Sequence, residues 1–395
     1  MIALGAVLRP FARISYRKHR TPVVAITGSV GKTTTKEFVA KVLASEFNVR
    51  HTAGNFNDRP GVMTTVLGVP RIRRIFDLVR TLPRVLQRTI RPRGADYLVI
   101  EISAGHIELA LTVFIPFISV VTAIAPVHLE RFGSIEGIIE EKSNLVRGLP
   151  ENGFAVLCFD DRAVRAMAGL NRGSTVFYGF SPEADVWMDE PERVNGGFAT
   201  TLHDGSYEAR LHFPHLVNRF HLLAVMAAWC VGSIAGIPRH RMRDIVQQLN
   251  PTKGRGDVSA GPRGSLLIND SFSASPAAMK ASLETFQAVA GDRRRFLVLG
   301  EMRELGPDEE RFHREVGRYS AGSGDILIAV GERADVYVAE FLAAHPSAPA
   351  FHSPDASSAF SILERELREG DAILFKGSHA VGLQDLIDRV RAMPQ

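Results

Sequence analysis

Ile26-Thr27-Gly28-Ser29-Val30-Gly31-Lys32-Thr33-Thr34-Thr35 decides how this chain is read. The apolar run Val23, Val24, Ala25 and Ile26 leads into it and has the character of a buried strand. After it, Phe38, Val39, Val42, Leu43 and Phe47 recur at helical spacing, which predicts a helix over 36–47. Strand, glycine loop and helix in that order are the setting of a phosphate-binding loop. Gly28 and Gly31 let the backbone curl so that N–H groups, Ser29 included, face an anion. Lys32 can reach the terminal phosphates of a nucleotide, and Thr33 or Thr34 can place a hydroxyl on Mg²⁺. Ile26 stands where such a loop usually has its first glycine. The bland alternative is a glycine-rich turn that caps a helix.

The rest of the chain gives this loop its context. At 395 residues there is room for two or three domains, and 45% hydrophobic with 23% charged residues is ordinary for a soluble globular protein. A net charge of +4 singles out no class of partner, but the charge is uneven. Arg9, Arg13, Arg17, Lys18 and Arg20 make a basic lead-in. Its apolar part is too short to span a bilayer, so it reads as a helix packed on the first domain or an amphipathic segment on a membrane surface. A second basic stretch holds Arg71, Arg73, Arg74, Arg80, Arg84, Arg88, Arg91 and Arg93 among Ile75, Phe76, Leu78, Val79, Leu82, Val85 and Leu86. That pattern suits a solvated helix or a peripheral membrane contact, and Pro83 should kink or break it. Cys158 and Cys230 lie in apolar surroundings, which fits packed thiols in a reducing cytoplasm.

Further strands are expected at 97–100, 118–124 and 154–159. Glu101 ends the first of these and is a natural Mg²⁺ ligand beside a phosphate loop; His128, beyond the second, is a candidate metal ligand or a structural histidine. Ser134 signals the start of a helix that runs to about Arg147 and carries Lys142. Short β-like runs over 185–213 turn at Asn195-Gly196 and Asp204-Gly205. A very apolar helix covers 216–235, and 251–256 reads as a boundary loop. Beyond it, strands at 265–269, 296–299, 326–330 and 372–375 alternate with helices at 276–289, 309–319, 334–344 and 383–392. That alternation predicts an α/β protein with a helix-covered parallel sheet.

Taken in order, these motifs resemble the Mur ligase family. The resemblance runs from about Val23 to the C-terminus. It rests on Thr27-Gly28-Ser29-Val30-Gly31-Lys32-Thr33-Thr34, Gly54-Asn55-Phe56-Asn57, Val99-Ile100-Glu101 and His128-Leu129-Glu130-Arg131-Phe132-Gly133-Ser134. It continues through Lys142, Asp160-Asp161, Gly254-Arg255, Asn269-Asp270-Ser271-Phe272-Ser273-Ala274-Ser275-Pro276, Leu299-Gly300-Glu301-Met302-Arg303-Glu304-Leu305-Gly306 and Lys376-Gly377-Ser378. The last three groups point to the branch that adds D-alanyl-D-alanine to a cell-wall precursor.

The resemblance implies a P-loop central ATPase-type domain over 21–250 and a Rossmann-like C-terminal domain over 251–395, after a lead-in at 1–20. It implies amide formation driven by ATP and Mg²⁺ through an acyl phosphate, on a small-molecule peptidoglycan precursor and not on nucleic acid. By resemblance, Lys32 and the loop amides hold phosphates, and Thr33, Glu101, His128 and Lys142 hold Mg²⁺, with Lys142 carbamylated. Arg255 and Asp270 would reach the nucleotide from the C-terminal side. Val30 replaces the family's usual asparagine, Phe220-His221-Leu222-Leu223-Ala224 replaces its His-Asn-x-x-Asn helix start, and Phe272-Ser273 falls where it has Tyr-Asn. Only about twenty residues precede the first strand, too few for a UDP-sugar-binding domain. The substrate is therefore expected to be held differently or to be another compound. Two further readings stand beside this one: a ligase of the same fold acting on another carboxylate and amine, and a nucleotide-binding module without catalysis.

Overall fold

The computed structural model of the chain describes residues 2–54, 57–72, 74–91, 94–127, 129–194 and 197–394. Arg73, Arg93 and the turn at Asn195-Gly196 lie outside them. The first sheet is built from β1 (Val23–Thr27), β2 (Val49–His51), β3 (Tyr97–Glu101), β4 (Ile118–Val121), β5 (Phe154–Cys158), β6 (Ser174–Gly179), β7 (Val186–Met188), β8 (Glu192–Val194), β9 (Gly197–Asp204) and β10 (Tyr207–Phe213). Its order is β10-β9-β7-β6-β5-β4-β1-β3-β2, with β8 paired to β9. The run from β7 to β2 is parallel, and β8, β9 and β10 add an antiparallel edge.

β1 sits inside this sheet, between β3 and β4, and all five of its residues are buried. Side chains alternate across a strand, so Val24 and Ile26 enter one core while Val23 and Ala25 enter another. The first core is closed by α2 (Lys32–Leu43) and α6 (Arg219–Ile234), with Phe38, Val42 and Trp229 fully buried. The second is closed by α1 (Ile2–His19), α3 (Arg59–Leu67) and α4 (Ile75–Ile90), through Leu8, Met63 and Val85. A parallel strand covered on both faces needs a continuous apolar run, which is why Val23 to Ile26 could be read from sequence. Between β4 and β5 lies α5 (Ile135–Arg147), whose N-cap Ser134 accepts from the Gly137 N–H.

The second sheet contains β11 (Asp257–Ala260), β12 (Leu266–Asp270), β13 (Arg295–Gly300), β14 (Ile326–Val330), β15 (Ala350–Ser353) and β16 (Ala372–Lys376). Its order is β11-β12-β16-β13-β14-β15, parallel except for β11. It is covered by α7 (Pro276–Ala290), α8 (Glu309–Ala321), α9 (Asp335–Ala344), α10 (Ala356–Glu366) and α11 (Leu383–Arg391).

Several expectations shift. α2 begins at Lys32 rather than at 36, because Gly31, at φ 85°, is its N-cap and the Lys-Thr-Thr-Thr run forms its first turn. α4 runs unbroken through Pro83; the proline is exposed, and the Val79 carbonyl that it deprives of a donor belongs to an exposed residue. β4 stops at Val121, so 122–125 is free to brace the phosphate loop. The lead-in is a helix packed on the first unit, with Leu4, Leu8 and Ala12 buried. β11, β15 and α10 were not anticipated; the two strands are short edges with partly exposed residues. Both cysteines are buried and unpaired. Among the described residues no helix is long and apolar enough to cross a membrane.

Candidate active site

The loop that opens α2 is held by the segment after β4. A Cβ on Gly28, which sits at φ 140°, would lie 2.0 Å from the Thr122 Oγ1, so no larger residue fits. Thr122 Oγ1 donates to the Val30 carbonyl at 2.6 Å, and the Ser29 N–H donates to Ala123 O at 2.6 Å. Ser29 Oγ donates to Ala125 O at 3.1 Å. The first amides of a helix have no acceptor within it, so the start of α2 offers N–H groups and a positive dipole end to an anion. Lys32 Nζ donates to the Gly28 and Ser29 carbonyls at 2.8 and 3.1 Å, which draws the loop closed around its ammonium.

Glu101 ends β3 opposite Ile26 of β1 and is 1% exposed. Its Oε1 accepts from Thr33 Oγ1 at 3.1 Å and from Asn57 Nδ2 at 2.7 Å. Its Oε2 is buried with no partner among the described residues. A buried carboxylate oxygen left unpaired is costly, so this atom calls for a cation or a water. Thr33 and Glu101 offer hard oxygen donors, which fit Mg²⁺. Among the described residues no three His, Cys, Asp or Glu side chains form a metal cluster, and His128 lies outside those residues. Lys142, buried on α5, pairs with Glu141 at 2.8 Å, and Glu141 also accepts from the Gly105 N–H at 2.8 Å.

The opposite wall comes from the second unit. Arg255 Nη2 donates to Thr33 Oγ1 at 3.1 Å, and its Nη1 donates to Ser273 Oγ at 3.0 Å. Its guanidinium lies 4.0 Å from the Phe272 ring centre, and Phe272 stacks on His379. Thr33 thus accepts from Arg255 and donates to Glu101, joining the two units at one hydroxyl. Asp270 stands behind this wall. It pairs with Lys376 at 2.9 Å and accepts from Ser282 Oγ, and Lys376 donates to the Ser273 carbonyl at 2.7 Å. Together these walls enclose a cleft of about 400 Å³.

The cleft is rich in cations. Lys32 and Arg255 are half-buried at its walls. Burial, and then Lys142, bring the Lys32 ammonium down to about 8. Burial lowers the proton affinity of Lys142 as well, opposed by Glu141, and that of Arg255, opposed by Glu101 and Asp270. The three cations Lys32, Lys142 and Arg255 face two carboxylates, Glu101 and Glu141, which leaves an excess positive charge in need of an anionic partner. A polyphosphate would meet that need.

The structure therefore brings Ser29, Gly31, Lys32, Thr33, Glu101 and Arg255 to one cleft, with Gly28 packed against Thr122 behind the loop, Thr34 buried in the first turn of α2, Asp270 behind the far wall, and Lys142 paired with Glu141 outside the lining. Asn55 and Phe56 of the Gly-Asn-Phe-Asn motif are outside the described residues. Sequence reasoning gave no role to Lys36 or His379, and it quoted Asn57 and Phe272 only as members of motifs. Lys36 is fully buried; it pairs with Glu37 and donates to the Thr52 and Gly54 carbonyls, fixing the loop that carries Asn57. Phe272 and His379 follow the C-terminal ends of β12 and β16, where ligands sit in open parallel sheets. That rule could have found them.

Residues 26–232 match the Mur ligase middle domain, and residues 254–379 match the Mur ligase, glutamate ligase domain. The UDP-N-acetylmuramoyl-tripeptide--D-alanyl-D-alanine ligase of Mycobacterium tuberculosis (strain H37Rv) is 32% identical over 409 residues, covering 94% of this chain and 73% of the relative. The Bacillus subtilis enzyme of the same name is 28% identical over 385 residues, covering 96% and 78%. In fold the chain is similar to MurF from Acinetobacter baumannii, with a TM-score of 0.81 at 22% identity over 99% of this chain and 80% of that one. It is also similar to MurF from Thermotoga maritima, crystallised with ADP, with a TM-score of 0.79 at 24% identity over 98% and 83%.

Proposed function

The chain belongs to the Mur ligase family, and from that footing we propose that it is a MurF-type ligase joining D-alanyl-D-alanine, or a similar amine, to the carboxylate of a peptidoglycan precursor. It is an ATP-dependent, ADP-forming enzyme that works in the cytoplasm on a small-molecule substrate. The observation that carries this reading is the meeting of Lys32, Thr33 and Glu101 from one unit with Arg255 from the other across a single cleft. Peripheral membrane contact through the stretch from Arg71 to Arg93 belongs to the same reading. So do domain limits of 1–20, 21–250 and 251–395.

In this reaction a carboxylate oxygen takes the γ-phosphoryl group and ADP leaves. The amine then attacks the acyl carbon, phosphate departs, and the amine gives up a proton. Such chemistry depends mostly on positioning and on neutralising charge on the transferring group. Lys32 and the free amides at the start of α2 hold the phosphates, the Ser29 N–H being committed to Ala123 O. Arg255 reaches them from the far wall, braced by Ser273 and Phe272. Asp270 and Lys376 keep that wall in place. Thr33, Glu101, His128 and a carbamylated Lys142 would hold Mg²⁺, which would supply charge neutralisation. Carbamylation needs a neutral amine, and burial lowers the proton affinity of Lys142 against the pull of Glu141. The nitrogen takes up CO₂, loses a proton and becomes an anionic ligand.

The test is phosphate release from ATP by the purified protein with UDP-N-acetylmuramoyl-tripeptide and D-alanyl-D-alanine, singly and together. Release that requires both, yields an amide product by mass and disappears in Lys32→Ala is expected. ATP binding without release would move the reaction to another carboxylate and amine. A protein that binds no ATP would overturn the reading.

A further inference from the structure

α4 has three faces, and the fold uses one of them. Leu78, Thr81, Val85 and Thr89 recur at helical spacing and are buried. Phe76, Val79, Leu82, Leu86 and Ile90 form a second row, exposed by 62, 65, 39, 44 and 65%. Arg80, Arg84, Arg88 and Arg91 form a third. α1 lies against this helix: Ser15 Oγ donates to Arg88 O at 3.2 Å, and Lys18 Nζ donates to Ile90 O at 3.2 Å. It adds exposed Val7 and Ile14, two turns apart on the side that carries Lys18. Seven of the eleven large apolar residues exposed among the described ones therefore sit on two helices, where scattered single residues would be ordinary.

The charge around them is mostly of one sign, with Asp77 the single acidic residue on the two helices. Among the described residues, Arg9, Arg13, Arg17, Arg80, Arg84 and Arg88 form no ion pair, and α1 contains no acidic residue. Arg13, Arg17, Arg20 and Tyr16 line a surface hollow of about 570 Å³ against residues 111–115. A second copy of this chain would set arginine rows against arginine rows across a two-fold axis, which is unfavourable. An apolar row flanked by unpaired arginines is complementary to a surface that offers acyl chains and anionic headgroups together.

We propose that the α1–α4 face docks the protein peripherally on an anionic lipid surface, with the apolar row of α4 at the headgroup–acyl boundary and the arginines on the headgroups. This deepens the membrane contact named above and is independent of the reaction chemistry. The test is flotation of the full chain with vesicles of phosphatidylcholine alone and of phosphatidylcholine with phosphatidylglycerol. Binding to the anionic vesicles is expected, weakened by salt and reduced about tenfold or more in both Phe76→Ser/Val79→Ser/Leu86→Ser and Arg80→Gln/Arg84→Gln/Arg88→Gln. Failure of the unaltered chain to float would overturn the proposal, as would apolar variants that bind like the parent. So would a concentration-dependent dimer, lost in the apolar variant, without vesicle binding. Circular dichroism confirms folding of each variant, and phosphate release is measured separately. A failed flotation with intact release touches the docking face alone, and absent release with intact flotation touches the ligase reading alone.

Discussion

Lys32 and Arg255 line one cleft with Lys142 buried nearby, while Arg80, Arg84 and Arg88 stand in a row on the outside of α4; cations outnumber carboxylates in both sets, but with different consequences. In the cleft, burial and neighbouring cations weaken the hold on a proton, so Lys32 falls to about 8. Such a site is tuned, and each of its members has a large individual effect. On the helix the arginines stand at the surface, where charges are screened, so each contributes little alone and the row acts by summation. A lack of anions inside the cleft defines a ligand; a lack of anions outside defines a surface.

If that contrast holds, the cleft residues give the largest losses. Lys32→Ala should reduce phosphate release on the order of 10²–10³-fold, as expected for a preorganised donor to developing charge. Single-turnover kinetics with saturating ATP should place the loss in the chemical step. Arg255→Lys keeps the charge but loses the fork that serves Thr33 and Ser273, and a loss of about 10²-fold is expected. A lysine variant with parental rates would show that Arg255 supplies charge alone.

The pH dependence of nucleotide binding follows from Lys32. In the nucleotide-free protein its ammonium loses its proton near 8. Bound phosphates favour the protonated form and raise that value. Well below pH 8 the proton is present before and after binding, so affinity is flat. Above it, binding must take up a proton, and affinity should fall by up to about tenfold per pH unit. Calorimetry at pH 8 in two buffers of different ionisation enthalpy should detect the uptake, and Lys32→Ala should abolish it.

How much of this was legible beforehand divides along similar lines. Val23 to Ile26 and the glycines after them were readable because a central parallel strand is apolar on both faces and the loop depends on backbone conformation. Glu101 was readable as a strand-end carboxylate. Its orphan Oε2, the Arg255–Thr33 bond and the brace from Lys376 through Ser273 were not, since they join residues far apart in the chain. The start of α2 was missed because apolar periodicity marks where a helix packs, and its first turn is Lys-Thr-Thr-Thr. The three faces of α4 were visible as composition, but periodicity could not say which apolar row the fold would bury.

A smaller effect separates arginines by partner. Arg294 meets Asp371 through two donors at 2.9 and 2.7 Å, and the aspartate side chain is 1% exposed. Arg294→Gln leaves that carboxylate buried with fewer partners and should cost roughly 2–3 kcal/mol, somewhat below the usual range for a broken buried pair because Arg294 is partly exposed. Urea unfolding followed by circular dichroism measures this directly.

The smallest effect carries the opposite sign. Arg84 stands four residues from both Arg80 and Arg88 on one helix face, and like charges at that spacing repel. Glutamine has nearly the helix propensity of arginine, so Arg84→Gln changes little else. The substitution should stabilise the protein by about 0.2–0.5 kcal/mol at low ionic strength, and the gain should fade as salt screens the row. Urea midpoints at two salt concentrations would resolve it alongside Arg294→Gln. A loss of stability instead would mean that Arg84 has a structural partner in the folded chain, and the contrast with the cleft would weaken. A salt-sensitive gain would mean that the row is kept at a cost to the fold, which is intelligible if its partner is a surface outside the molecule.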